Sequence, residues 1–138
     1  LLDDCVAVVG GDVALHSCAE GLSWPLLQRS SIAAVSVDIA TLTPADLDGI
    51  GEFLESGRTV LLGAVPSTQP TSRPVTGHVA ASVASVTDRL GFARAVLRQR
   101  IGVTPACGLA TATPVWARAA IELSQRVADA LSEDPEGI

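Results

Sequence analysis

Two nearly uninterrupted apolar runs, Ile32-Ala33-Ala34-Val35-Ser36-Val37-Asp38 and Thr59-Val60-Leu61-Leu62-Gly63-Ala64-Val65, limit what this chain can fold into. A strand with one wet face alternates apolar and polar residues, whereas continuous runs suit strands covered on both faces, as in parallel sheets. Between the two runs lie the marks of a helix. Thr43-Pro44 offers an N-cap with proline at the first helical position, and Asp46 falls where a capping box needs its acid. Leu47, Ile50, Phe53 and Leu54 make one apolar stripe, and Gly57 ends the segment.

The same alternation extends in both directions. Leu1 to Val9 reads as the end of an apolar helix stopped by Gly10-Gly11, Val13-Ala14-Leu15-His16 as a strand, and Trp24 to Arg29 as a short helix. After the Thr59 to Val65 strand, the Pro-, Ser- and Thr-rich stretch from Pro66 to Thr76 is long for a compact domain, and such loops are often functional. His78 to Leu97 reads as a helix interrupted near Gly91, and Ile101 to Ala106 as a fourth strand. Thr113-Pro114 repeats the earlier cap, ahead of a last helix with Val115, Ala119, Leu123, Val127 and Leu131 on one face. Ser132 to Ile138 reads as an acidic, frayed tail. Four β-α units predict an α/β fold with a parallel sheet and helices outside. Residues 1–138 suffice for a small open sheet or for half of an eight-stranded barrel, which takes about 250 residues.

Composition narrows the function classes. With 48% apolar and 17% charged residues the chain can build a core, which argues against disorder. Its net charge of −6, and nine arginines scattered singly without any lysine, give no footprint for nucleic acid. All nine are expected to be solvated. Three widely spaced cysteines do not read as a disulfide framework, so reduced thiols in a cytoplasmic protein are expected. No secretory signal and no run of the ~20 apolar residues of a membrane span is present, so no membrane partner is expected. No glycine-rich phosphate loop follows a strand. The absence of methionine leads to the expectation that the sequence is a piece of a longer protein.

Chemistry is concentrated at the ends of the strands. His16 and Cys18 are two apart after the first strand, so an extended backbone projects them to one face. Asp38 ends the second strand and Cys107 follows the fourth. In parallel α/β folds active sites lie at the carboxyl ends of the strands, and imidazole and thiolate are ligands that zinc prefers. His16, Cys18, Asp38 and Cys107 are therefore the candidate metal ligands. Cys5, Trp24 and Trp116 read as packing residues and His78 as a solvated helix residue, while Glu20 fits either a place behind the ligand pair or plain solvation.

These residues resemble a family. Leu15-His16-Ser17-Cys18, Val35-Ser36-Val37-Asp38 and Pro105-Ala106-Cys107-Gly108-Leu109 resemble, in order and at comparable separations, three motifs of the C-terminal catalytic barrel of zinc-dependent, cobalamin-independent methionine synthases. The resemblance covers nearly the whole chain. It implies that residues 1–138 form the second half of a TIM-type (β/α)8 barrel, completed by an N-terminal half-barrel or a second copy of the chain. It further implies an enzyme in which Zn2+ held by His16, Cys18 and Cys107, with Asp38 as acidic fourth ligand, activates the thiol of homocysteine toward a methylated folate. Both substrates are small molecules. The alternatives are a related zinc thiol methyltransferase with another donor or acceptor, and a non-catalytic homologue. The sequence departs from the family where Asp38 replaces the usual Glu, Thr68 a His of the loop after the third strand, and Ala110 to Ala112 basic residues.

Overall fold

A computed structural model describes all of residues 1–138. Strands β1 (Ala14–Ser17), β2 (Ala34–Asp38), β3 (Thr59–Val65) and β4 (Ile101–Pro105) form one sheet in chain order, every pair parallel. The helices are α1 (Leu2–Val9), α2 (Trp24–Arg29), α3 (Pro44–Glu55), α4 (Thr76–Arg89), α5 (Val96–Gln99) and α6 (Pro114–Glu133), with 3-10 turns at Ile39–Thr41 and Pro135–Gly137. None is long and apolar enough to cross a membrane.

The strand order never reverses, and this decides where the helices lie. Right-handed crossovers carry every connecting helix to the same face of such a sheet, whereas a doubly wound sheet reverses order and covers both. The burial agrees. Val35, Val37, Val60 and Leu62 point to the helices and are at most 2% exposed. On the other face, His16, Ser36, Leu61 and Gly102 stand in one register row, of which His16 is exposed and Leu61 and Gly102 half-buried. The architecture is therefore the singly wound α/β arrangement of part of a TIM-type barrel.

The core explains why each element holds its place. Thr43 Oγ1 accepts the Asp46 backbone N–H at 3.3 Å while Asp46 Oδ2 accepts the Thr43 N–H at 2.9 Å, the expected capping box of α3. Asp46 Oδ1 also accepts the Trp24 indole N–H at 2.8 Å, which locks α2 against α3. Trp24 meets Phe53 edge to face at 6.4 Å, and Arg58 stacks 3.8 Å over the same ring. Gly57 adopts φ 84°, the left-handed stop that only glycine takes without strain.

Several expectations need correction. The first strand runs Ala14–Ser17, one residue later than its apolar pattern suggests, and the second begins at Ala34. The long helix is two, α4 and α5, separated at Gly91 with φ 75°. On α6 the buried stripe is Trp116, Ala120, Leu123, Val127 and Leu131, while Val115 is 76% exposed. Steps of four residues drift about 40° each around a helix, so a face alternates steps of four and three. Cys5 is exposed, because α1 buries none of its residues. The tail is docked: Arg94 donates to the Ile138 carbonyl at 2.7 Å and to that of Pro135 at 3.2 Å, and Pro135 is buried. Arg58 donates to the carbonyls of Leu27 and Ser30 beneath α2. Not all nine arginines are solvated.

Candidate metal centre

The carboxyl ends of β1 and β4 carry the site. His16 lies in β1, Cys18 follows its last residue, and Cys107 sits two residues beyond β4. Ala106 donates its N–H to the Val65 carbonyl at 2.8 Å, so the chain entering Cys107 is still tied to β3. In a flat sheet the two edge strands would stand about 14 Å apart, three spacings of roughly 4.8 Å. Yet Cys18 Sγ and Cys107 Sγ are 3.2 Å apart, and the ligand atoms of His16, Cys18 and Cys107 all lie within 4.8 Å of one another. The contact requires a sheet curled toward its open face with its edge loops folded inward.

Local geometry orients the imidazole. His16 and Ser36 are register partners across the β1–β2 pair, and His16 Nδ1 is 3.0 Å from Ser36 Oγ. The thiol of Cys18 is pushed above its ordinary value of 9.0, first by the hydrogen bond with Cys107, then by desolvation and by the neighbouring negative charges of Cys107 and Asp38. Two sulfurs this close cannot both carry charge without a cation between or beside them.

Three of the four anticipated ligands are together, and Asp38 stands apart from them. Its Oδ1 accepts the Ala40 N–H at 2.9 Å, capping the 3-10 turn after β2, and it is not one of the three groups within 4.8 Å. Asp38 and Thr68 instead line a neighbouring cavity of about 400 Å³ with Ser67, Gly63, Ala106 and the Ile39-Ala40 turn. No basic side chain lines this cavity. Glu20 and Ala110 are exposed. His78 is exposed in the first turn of α4, whereas Trp24 and Trp116 are buried, the Trp116 indole donating to the Pro66 carbonyl at 3.1 Å.

The donor set can be tested against zinc. Tetrahedral zinc with Zn–S near 2.3 Å needs its sulfurs about 3.8 Å apart, a small side-chain rotation from the 3.2 Å observed. One nitrogen and two sulfurs suit this borderline-soft ion better than Mg2+ or Ca2+, which take oxygen. The residues present fit the ion. Two site-facing hydroxyls were missed in the sequence. Ser36 is the lone polar residue inside an apolar run, and Thr104, whose Oγ1 is buried without a partner, occupies the register position of Gly63. Polar residues alternating on the face opposite the valines were the available signal.

The family model described as the catalytic domain of cobalamin-independent synthase matches residues 1–130. No curated protein and no solved structure matches the chain.

Proposed function

The chain belongs to the family of the cobalamin-independent synthase catalytic domain, and on that premise we propose that it is a zinc-dependent methyltransferase acting on a thiol, with homocysteine as acceptor and a methylated folate as donor. A methyltransferase-type role comes with the family. The observation that supports the finer reading is the convergence of His16, Cys18 and Cys107 within 4.8 Å at the carboxyl edge of the sheet. These three residues would hold the ion, with Asp38 as the acidic fourth ligand once its carboxylate turns from the Ala40 N–H. A bound zinc ion supplies the positive centre at which a substrate thiol is deprotonated near neutral pH, where a free thiol with pKa near ~8.5 is mostly protonated. The two cysteine sulfurs would keep such a centre electron-rich, which favours a nucleophilic substrate sulfur. Asp38, Ser67 and Thr68 line the cavity next to the cluster and would orient the polar groups of a substrate.

Residues 1–138 would then form the C-terminal half of the barrel. An N-terminal half-barrel or a second copy of the chain would cover the sheet's open face and α1, which buries none of its own residues and exposes Val8 and Val9. The cavity without a basic residue favours a second reading, a related thiol methyltransferase whose donor or acceptor presents no anionic group to that wall.

Metal analysis of freshly purified, never-chelated protein is expected to give about one zinc per chain. Methyl transfer to homocysteine from methyl-folate, run beside other donors, then separates the two readings. A metal-free sample would end both.

A further inference from the structure

We infer that Ser36 is a positioning residue for the metal centre: its hydroxyl takes the Nδ1–H of His16 and thereby presents Nε2 of that imidazole to the ion. The inference rests on the zinc reading above and adds a residue to it.

Ser36 is a strange occupant of its position on packing grounds. It is 7% exposed, in the middle of β2, between Val35 and Val37 at 0% and 2%. A hydroxyl buried there costs free energy unless it is hydrogen-bonded, and alanine or valine would serve the strand better. The one hydrogen bond its side chain makes is to His16 Nδ1 at 3.0 Å. Parallel pairing explains why that bond is well placed. His16 and Ser36 are direct register partners on the open face, so neither side chain must reach for the other.

The chemical consequence follows from the two nitrogens of imidazole. A neutral ring carries its proton on one nitrogen and its lone pair on the other, and the partner of the first decides which is which. With Nδ1 held by Ser36, Nε2 is the nitrogen with no hydrogen-bond partner. The bond also restrains ring rotation about χ2, so less reorientation is left for the moment an ion arrives. A hydroxyl does this without adding charge, which matters beside two sulfurs and the Asp38 carboxylate. Outer partners of ligating histidines are worth about 10–100-fold in metal affinity.

The test uses the full chain and Zn2+ in competition with a chelator of known affinity. Ser36→Ala is expected to weaken zinc about 10–100-fold and Ser36→Thr, which keeps the hydroxyl, to restore most of the loss. Melting of the metal-free proteins should differ little, which separates positioning from folding. In 15N-histidine-labelled, zinc-loaded wild type, His16 should show a protonated Nδ1 and a metal-bound Nε2, a signature that needs no variant. Ser36→Ala binding zinc within about twofold of wild type, or metal found on Nδ1, overturns the inference while leaving the zinc reading intact. Wild type binding no zinc overturns both.

Discussion

Replacing Cys107 by serine separates a metal ligand from a neighbour of one. Only three protein groups lie within 4.8 Å of one another, so the variant retains one imidazole and one thiol of that cluster, with the Asp38 carboxylate left to turn from the Ala40 N–H. Four-ligand zinc sites in small peptides bind with about 10–16 kcal/mol, or about 2.5–4 kcal/mol per ligand. At 1.4 kcal/mol per tenfold, affinity should fall about 10²–10³-fold. The pH dependence is the sharper test. At neutral pH free thiols are mostly protonated, so loading an ion on two of them releases about two protons, and log affinity should climb by about two per pH unit. Cys107→Ser should climb by about one. Chelator competition at several pH values around neutrality measures all of this on the full chain. Cys107 is exposed, so the metal-free variant should fold normally. An unchanged slope with affinity within a factor of about three would refute Cys107 as a ligand.

Other perturbations probe the scaffold. Burial raises the Asp46 pKa, but hydrogen bonds from the Thr43 hydroxyl, the Trp24 indole and the Thr43 N–H outweigh it and leave the pKa below 3.8. Its folded pKa is therefore depressed, so its stabilisation is present above about pH 4 and lost as pH falls through the folded value. Asp46→Asn should flatten that acid limb in unfolding curves followed by Trp24 fluorescence, and an unchanged limb would assign it elsewhere. A Cβ on Gly49 would overlap the Trp24 indole, so Gly49→Ala should cost about 2–3 kcal/mol despite alanine's better helix propensity. On Gly102 the Cβ meets only the Leu61 side chain, with the close contact to its terminal methyl, and Gly102→Ala should stay within about 1 kcal/mol of wild type in denaturant melts. Arg94→Ala should speed hydrogen exchange over Asp134 to Ile138, because it removes the donors to Pro135 and Ile138, and unchanged protection would mean that α6 alone holds the tail. Zinc at about a thousandfold excess over its Kd should stabilise the fold by about 4 kcal/mol, visible as a higher melting temperature that a chelator reverses.

The fold was legible wherever one local rule dominated. The capping box of Thr43 and Asp46 and the β3 run from Thr59 to Val65 are specified by neighbours in sequence, and both form with the residues anticipated. Errors fell where tertiary contacts decide. On α6 only the first turns were misplaced: Trp116 and Ala120 are buried in place of Val115 and Ala119, with the Trp116 indole donating to the Pro66 carbonyl, while Leu123, Val127 and Leu131 lie on the buried face as anticipated. The tail reads as frayed on its acidic composition, while Arg94, forty-one residues away from Pro135, fixes it through backbone carbonyls. The role of Ser36 is hidden for a similar reason: its polarity inside an apolar run marks the residue, but its partner, twenty residues distant, becomes visible only once the β1–β2 register is known.

The candidate ligands were legible as strand ends, but their meeting depends on curvature, which sequence does not encode locally. His16 and Cys18 come from one edge of the sheet and Cys107 from the other, with β2 and β3 between. Small residues along the inner row permit the bend: Gly102 gives way to the Leu61 side chain, and Gly63 leaves no room for a Cβ against the Ala106 backbone. The β3–β4 register also shifts between Gly63 and Val65, and such irregularities bend a strand and re-aim the residues beyond it. Beyond β4 those residues are Ala106 and then Cys107. The residues that shape the sheet are thus not the residues that carry the chemistry, yet the second set cannot assemble without the first. A bulkier residue at Gly63 should therefore separate Cys18 from Cys107 with no ligand residue replaced. Zinc affinity measured by chelator competition should fall, whereas an unchanged affinity would mean that the bend does not depend on Gly63.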